Sequence, residues 1–257
     1  MKKKILIILT IAIQAFTYTI TYSQDAREIE LKAQEILARV DLVMQYPDGI
    51  LKGNISHIFP DGKSFNSDLE LMALKDNFLF VFKNSKRGEQ ERILYNLGGE
   101  DIWVYNVTNL QLFHKMDVDK FDQIQQTNFS FYDLSNADLQ SNYTATITGS
   151  SEYKGKQVFI LMLKPIFKGA GYGKLTLYVE KSQYIPLRID YYDQDMVIVK
   201  AMTIAQTAEY NNRVFPIRYD MLHIGTGTLT ILKFVNHQKK TDFDKDIFRH
   251  ENLGKSY

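Results

Sequence analysis

The side chains that most often perform chemistry are thinly spread along this chain. Its 257 residues include five histidines and no cysteine. No two histidines have the spacing of a zinc enzyme, and no Gly-x-Ser-x-Gly motif marks a serine hydrolase. Without cysteine the chain has no disulfides, thiolate metal ligands or thiol nucleophiles. The sequence therefore predicts no cofactor and no metal site, and the enzymatic alternative is a hydrolase whose carboxylates converge only in space.

Two segments imitate ligand-binding motifs without completing them. The glycine-rich stretch 169–174 resembles a phosphate-binding loop, but Leu175 replaces the required Ser or Thr and a strand follows instead of a helix. The stretch 242–253 begins with alternating aspartates like a calcium loop, but Ile247 stands where Gly is needed and Leu253 where Glu is needed. We interpret the first as a connection between strands and the second as a solvated acidic turn.

The N-terminal residues predict export from the cytoplasm. Residues 2–4 are lysines, residues 5–13 form a short apolar run, and Thr21 and Ser23 place small residues before a cleavage site. We expect a signal peptide over residues 1–23, cleaved near Ser23, and a mature protein in the periplasm. The alternative is an uncleaved anchor, but the apolar run is short for a membrane span. Without cysteine no N-terminal lipid anchor is expected. No other segment approaches the length of a membrane span, so the mature chain is predicted not to be integral to a membrane.

The composition excludes further classes of protein. Hydrophobic residues make up 45% and charged residues 24% of the chain, as in an ordinary globular protein. The 31 basic and 30 acidic residues nearly cancel, so no nucleic-acid partner is expected. The 16 Tyr and 16 Phe favour β-structure, because aromatic side chains fit half-buried pleated surfaces.

The apolar spacing predicts one helix followed by many strands. Residues 25–44 place apolar side chains three or four positions apart, as in an amphipathic helix. From residue 51 the period changes to two, and the Pro-Asp-Gly-Lys stretch at 60–63 is a strong hairpin signal. We expect about twelve or thirteen antiparallel strands, interrupted by a polar segment over residues 117–141 that is typical of a lid or of short helices. The tail, residues 243–253, carries apolar side chains that can anchor it.

The strands carry more apolar surface than one sheet and one helix normally require. Alternation gives most strands one apolar face, as in an antiparallel sheet with one solvated side. Two outcomes stay open on the residues alone. Either the curved sheet closes and its own side chains fill the interior, or it stays half open as a cup whose lining holds an apolar ligand.

The order of these elements resembles the outer-membrane lipoprotein-sorting family, the LolA-like periplasmic carriers, and especially its longer bacterial branch. The resemblance covers about residues 25–253 and depends on short motifs in a shared order, among them a Trp-x-Tyr strand that has Asn106-Val107 where the family often has proline. The segments that carry it are Asp101–Asn106, Asn128–Leu134, Tyr178–Lys181 with Ile185-Pro186, Tyr191–Asp193, Lys200, Phe215-Pro216 and Asp246–Leu253.

The resemblance implies a mainly β fold: a single antiparallel curved sheet or incomplete β-barrel, with the N-terminal amphipathic helix and a lid segment over an apolar cavity. Residues 24–257 would form one LolA-like lipid-carrier domain without catalysis. Its ligands would be acyl chains of lipoproteins or another lipid moved toward the outer membrane, between an inner-membrane donor and an outer-membrane acceptor protein. The alternative on the same fold is a periplasmic sensor or interaction protein without a transported ligand. The predicted wall and lid residues are Ile36, Leu37, Val40, Met44, Leu71, Phe78, Phe80, Phe82, Trp103, Tyr105, Leu175, Leu177, Val179 and Leu187.

Overall fold

The computed structural model describes residues 28–84, 88–135, 138–167 and 169–255. The predicted signal peptide and the first residues of the predicted helix lie outside these ranges. Helix α1 is described over residues 28–44, and two short helices follow the first six strands: α2, Phe131–Leu134, and α3, Leu139–Asn142. Single 3-10 turns span Leu97–Gly99, Asp117–Phe121, Lys245–Phe248 and His250–Asn252.

The described residues form thirteen strands, as many as the sequence predicts. The strands are β1 Gly49–Ile58, β2 Ser64–Leu74, β3 Asn77–Asn84, β4 Gly88–Asn96, β5 Asp101–Asn106, β6 Gln111–Lys115, β7 Tyr143–Tyr153, β8 Lys156–Pro165, β9 Lys174–Glu180, β10 Pro186–Tyr192, β11 Ile198–Tyr210, β12 Arg213–His223 and β13 Leu229–Gln238.

All thirteen strands of the described chain belong to one antiparallel sheet. Its order is β6-β5-β4-β3-β2-β1-β13-β12-β11-β10-β9-β8-β7. The two meanders are joined by the pairing of β1 with β13, which aligns Ile55 with Leu232. The sheet does not close into a barrel, because β6 and β7 are its edges and are not paired with each other. The predicted open curved sheet is confirmed.

The predicted hairpin at 60–63 joins β1 to β2. The Phe59 amide donates to the Lys63 carbonyl at 2.8 Å, and the Gly62 amide donates to the Phe59 carbonyl at 2.9 Å. Gly62 has a φ of +84°, a backbone conformation that glycine adopts without steric cost. The stretch 169–174, predicted to connect strands, lies between β8 and the start of β9.

The sheet has an inner face, which carries the main core, and an outer face with a smaller one. Phe78 in β3 and Leu175 in β9 lie far apart in the strand order but share one buried cluster, so the sheet curves around it. Helix α1 packs Ile36, Leu37 and Val40 into that cluster. Charged residues such as Lys32, Glu35 and Arg39 are exposed on the other faces of α1, as expected for an amphipathic helix. None of the helices in the described ranges is long and apolar enough to cross a membrane.

Candidate functional site

The inner face is where most of the predicted wall residues meet. On β3, the alternating side chains of Phe78, Phe80 and Phe82 point inward and are fully buried, and Phe78 stacks on Tyr95 of β4 with ring centroids 4.7 Å apart. Tyr46, which follows α1, packs edge-on against Phe78 at 5.4 Å. Met44 is half-buried against the same cluster. The predicted residues that lie in this buried cluster are Ile36, Leu37, Val40, Leu71, Phe78, Phe80, Phe82, Leu175, Leu177, Val179 and Leu187.

Two predicted wall residues lie on the other side of the sheet. Trp103 and Tyr105 pack against the outer cluster, whereas their neighbours Ile102 and Val104 are buried in the inner one. Trp103 is stacked between two histidine rings, His114 at 4.1 Å and His250 at 4.0 Å. The placement of Trp103 and Tyr105 in the inner wall is therefore wrong. Successive side chains of a strand face opposite sides of the sheet, so an error of one position changes the face.

The inner face is covered by α1 and by residues 117–135, which we call the strap. The strap is the first part of the polar segment 117–141, which has the predicted short helices. It turns back on itself through a bridge between Gln123 and Ser130. Its apolar side chains insert into the inner core and are fully or almost fully buried: Ile124, Phe129, Phe131 and Leu134. The strap therefore occupies the space that an apolar ligand of the inner face would need.

Two glycines allow the strap to approach its neighbours closely. A Cβ atom at Gly99 would lie 2.4 Å from the Cβ of Ser135, at the end of the strap. A Cβ at Gly171 would lie 2.3 Å from the ring of Phe121. Both distances are far below a van der Waals contact, so a larger residue at either position would push the strap outward. The glycine-rich loop between β8 and β9 thus has a packing role.

A buried ion pair ties the strap to the sheet. The ammonium of Lys200, on the inner face of β11, contacts the Asp133 carboxylate of the strap. The Asp133 side chain is 0% exposed and that of Lys200 is 9% exposed. The hydroxyl of Tyr172 donates to Asp133 Oδ1 at 2.9 Å. Burial raises the pKa of Tyr172 well above its ordinary value, so the phenol stays protonated as a donor. We call Lys200, Tyr172 and Asp133 the latch.

Contacts within the strap itself orient the Asp133 side chain. Asp133 and Ser130 form a capping box at the start of α2. The Ser130 amide donates to Asp133 Oδ2 at 2.7 Å, and the Asp133 amide donates to Ser130 Oγ at 3.2 Å. Such a box holds its acidic side chain against its own helix, so the strap fixes the carboxylate that Lys200 contacts.

Neutral hydrogen bonds hold the rest of the strap to the wall. The amide of Asn128 donates to Thr230 Oγ1 at 2.9 Å, and its side chain donates to the Thr228 carbonyl at 2.8 Å. The hydroxyl of Tyr95 donates to the Phe131 carbonyl at 3.1 Å. Each such bond contributes about 0.5–1.5 kcal/mol net. The strap is therefore attached both by polar contacts and by its four buried apolar side chains.

With the strap in place, little free volume is left inside. A cavity of about 60 Å³ lies between Met44, Tyr132, Leu175 and Met202. A water molecule has a share of about 30 Å³ in the liquid, so this cavity is much too small for an acyl chain. The interior is filled although the sheet does not close, because α1 and the strap supply the filling side chains. The first of the two outcomes left open by the sequence is therefore met only in its filled interior.

A larger cleft of about 820 Å³ lies outside the strap. It runs between α1, the 3-10 turn at Leu97–Gly99 and the strap, and its charged lining is mostly acidic. Asp41, Tyr132 and Ser135 line both the cleft and the small inner cavity. These three side chains therefore stand between the interior and the outside.

Asp41 fastens α1 to the far end of the covering segment. Its carboxylate accepts hydrogen bonds from the amides of Leu139 at 3.1 Å and Gln140 at 2.9 Å. Burial raises the pKa of Asp41 to about 7, although these two bonds lower it. The Glu91 carboxyl of β4, hydrogen-bonded to the Gln125 side chain of the strap, also has its pKa raised to about 7 by burial. Both covers of the inner face therefore rest on carboxyl groups that titrate near neutral pH.

The latch is the part of the site that sequence reasoning missed. Asp133 and Lys200 are 67 residues apart, and each alone reads as an ordinary surface charge. One signal was available: Lys200 shares the period-two positions of the apolar residues Met202 and Ile204 on β11. A charge on the apolar face of a strand requires a partner when it is buried. No three His, Asp or Glu side chains of the described ranges are placed to hold a metal ion.

Comparison with known proteins agrees with this architecture. A family model described as "Uncharacterized protein" matches residues 74–255, which is more than half of the chain. The chain belongs to this family. No curated protein matches the chain at a significant level.

Comparison with solved structures shows which fold this chain has. A domain assigned to the outer membrane lipoprotein-sorting proteins of Vibrio parahaemolyticus is 20% identical, with a TM-score of 0.78 over 88% of this chain and 100% of that chain. A DUF1329 family protein from Desulfovibrio piger is 20% identical, with a TM-score of 0.77 over 88% of this chain and 99% of the other. A LolA superfamily protein from Nitrosomonas europaea is 18% identical, with a TM-score of 0.69 over 86% and 99%. The predicted LolA-like fold is confirmed.

Proposed function

We propose that this protein is an exported, non-catalytic carrier that binds lipid acyl chains on the inner face of its sheet after the strap moves away. The observation that carries the proposal is an apolar face covered by a segment that is itself attached through polar contacts. Domain 24–257 would work in the periplasm after removal of residues 1–23. The fold shared with a lipoprotein-sorting domain supports acyl chains of lipoproteins or of another lipid as the cargo.

The energetics allow exchange between strap and ligand. Burying an acyl chain contributes about 0.8 kcal/mol per CH₂ group, or roughly 11–13 kcal/mol for a chain of 14–16 carbons. Displacing the strap exposes Ile124, Phe129, Phe131 and Leu134, each worth about 1.5–3 kcal/mol when fully buried. The two terms are of similar size and oppose each other. A carrier needs this balance, because it must release its load as well as bind it.

The experiment locks the strap in place. The chain has no cysteine, so the double variant Phe121→Cys/Gly171→Cys contains a single engineered pair. The Cβ of Phe121 lies 2.8 Å from the Cβ position of Gly171, and a disulfide needs about 3.5–4.5 Å, so the loops must separate by about 1 Å. We expect the oxidised variant to exclude a fluorescent long-chain fatty acid and the reduced variant to bind it. The single variant Phe121→Cys is the matched control.

Each result decides between the carrier and its alternative. Failure of both the wild type and the reduced variant to bind the fluorescent fatty acid would contradict the carrier. It would favour a periplasmic sensor or interaction protein, a role that the filled interior also supports. Equal binding by the oxidised and reduced forms would mean that the strap is not the gate.

A further inference from the structure

Opening the strap separates the three members of the latch. Lys200 belongs to β11 and Tyr172 to the loop before β9, so both remain with the sheet, whereas Asp133 leaves with the strap. Asp133 is the one acidic group within 4.0 Å of the Lys200 ammonium among the described residues. The Asn128 carbonyl, 3.5 Å from Lys200 Nζ, also belongs to the strap. The open protein would therefore hold a cation without an anion.

The surroundings that remain do not replace the lost carboxylate. Lys200 Nζ lies 4.9 Å from the ring centre of Tyr172 and 5.1 Å from that of Tyr191. Aromatic faces attract a cation, but once an uncharged ligand covers the inner face again, the buried ammonium would have no counter-ion, which is strongly unfavourable. The Tyr172 hydroxyl loses its acceptor at the same time. The wall of the open protein thus presents one cation and one hydroxyl donor at the position that the Asp133 carboxylate occupies in the closed protein.

The position of Lys200 suits the head of a lipid whose chain runs inward. Lys200 is near the start of β11, and Met202 and Ile204 continue the same apolar face toward the middle of the sheet. The register places Tyr191 beside Lys200 and Ile189 beside Met202 on β10. An acyl chain with its head at Lys200 would therefore lie along these apolar side chains.

The loops around this end of the sheet are apolar and exposed. The Gln194 side chain donates to the Ala170 carbonyl at 2.7 Å, so the loop after β8 and the loop after β10 are neighbours. The Ile224 amide, after β12, donates to the Val199 carbonyl at 2.9 Å beside Lys200. Exposed apolar side chains on these loops are Ile166, Phe167, Met196, Val197 and Ile224. A lipid can thus approach Lys200 along an apolar rim, which at Phe167 borders the acidic cleft beside α1.

We infer that the ligand of the inner face is an acyl lipid with an anionic headgroup, a carboxylate or a phosphate, and that Lys200 and Tyr172 bind this headgroup where Asp133 sits in the closed protein. The inference rests on the proposed carrier function and names its substrate class. A lipid with an uncharged head would leave Lys200 unpaired. An anionic lipid replaces the Asp133 carboxylate, so the headgroup opens the latch while the chain replaces the apolar side chains of the strap.

The test compares three twelve-carbon ligands that share a chain and differ in the headgroup. Dodecanoate, dodecyl phosphate and dodecanol are titrated against the full chain below their micellar concentrations, with displacement of a neutral fluorescent alkyl compound as the readout. We expect at least one anion to bind about 10- to 100-fold more tightly than dodecanol, the size of a charge-assisted interaction of a few kcal/mol. Comparing the two anions shows whether a fatty acid or a phosphate-bearing lipid fits better.

Variants of the latch separate a headgroup site from a structural ion pair. Asp133→Asn removes the internal competitor and should tighten dodecanoate binding about tenfold while leaving dodecanol less affected. Lys200→Met/Asp133→Asn has no buried charge left, so it should fold and bind all three ligands with similar affinity. The matched control is Lys52→Met, which breaks a pair with Glu70 on the outer face of β1 and β2 and keeps the preference for anions.

The outcomes distinguish failure of the inferred headgroup site from failure of the proposed carrier function. Equal affinity of the wild type for dodecanol and both anions would overturn the inference and leave the carrier function standing. Retention of the anion preference by Lys200→Met/Asp133→Asn would also overturn it. Failure of all three ligands to bind the wild type and Asp133→Asn would overturn the proposed function itself.

Discussion

Two segments cover opposite faces of the same strands, and they are fastened differently. The strap covers the inner face of β3 and β4, where Phe80 and Tyr95 lie, and its latch is a buried pair of opposite charges. The C-terminal segment, residues 243–255, covers the outer face of those strands, where Leu79 and Leu94 lie. It is held by Arg92, whose guanidinium donates to the Leu253 carbonyl at 2.7 Å and to the Lys255 carbonyl.

This difference separates a replaceable cover from a permanent one. An ion pair can be exchanged, because any anion of suitable shape can take the place of Asp133. The contacts of Arg92 are to backbone carbonyls, so they hold the C-terminal segment by its main chain. The outer segment also adds aromatic packing, with the rings of Phe243 and Phe248 5.7 Å apart. We therefore interpret the strap as the moving part and the C-terminal segment as part of the fixed scaffold.

The largest expected effect comes from breaking the latch on one side. Lys200→Met leaves the Asp133 carboxylate buried without a cation, and loss of one partner of a buried pair costs about 3–5 kcal/mol. Chemical unfolding in urea measures this loss in the free energy of unfolding. The double variant Lys200→Met/Asp133→Asn should recover most of it, because no charge is left buried.

The control for the latch is an ion pair at the surface. Lys52 pairs with Glu70 at 3.5 Å, and the two side chains are 61% and 24% exposed. Lys52→Met should cost about 0–1 kcal/mol, the usual range for exposed pairs. If Lys200→Met cost no more than Lys52→Met, the strap would not depend on the latch, and the contrast between the two covers would fail.

A smaller and local effect is expected on the outer face. Arg92→Met removes donors to the C-terminal segment at an expected cost of about 1–3 kcal/mol. Hydrogen exchange should accelerate in residues 243–255 and stay unchanged in the strap. Arg249→Met is the matched control in the same segment, since Arg249 is 60% exposed and its nearest carboxylate oxygen is 3.6 Å away. Faster exchange in the strap of Arg92→Met would show that the two covers are coupled.

Local pattern was enough to predict the sheet and most of its inner wall. Period-two alternation places Phe78, Phe80 and Phe82 on one face, and the same alternation orders the strands of the second meander. The prediction fails at β5, where both faces are apolar in sequence. Its large aromatic side chain suggested that Trp103 faces inward. The outer face is apolar at β5 as well, because the C-terminal segment, about 140 residues further along, packs against it. That contact cannot be predicted from the spacing of residues within β5.

The latch escaped prediction for a related reason. Asp133 is a helix cap by its local pattern with Ser130, and Lys200 lies among the apolar residues of a strand. Each residue has a sufficient local explanation, and their pairing exists only because the strap folds back over the sheet. The sequence could place a lid over residues 117–141, but it could not show that the lid fills the interior.

The most gradual expected effect is a dependence of stability on pH that comes from the inner covers. The pKa of Asp41 and that of Glu91 are both about 7 in the folded protein, raised mainly by burial from ordinary values of 3.8 and 4.5. An acid whose pKa is raised by folding binds its proton more tightly in the folded than in the unfolded chain. Its contribution to the stability of the folded protein is therefore fully present below the unfolded pKa. That stabilisation is lost as the pH rises toward 7, by up to about 1.4 kcal/mol per pH unit for each group.

The free energy of unfolding, measured in urea between pH 5 and pH 8, should therefore fall with pH for these two groups. Asp41→Asn should have about half the slope, and Asp41→Asn/Glu91→Gln should be nearly flat. An unchanged slope in the double variant would show that the attachment of the inner covers does not titrate in this range.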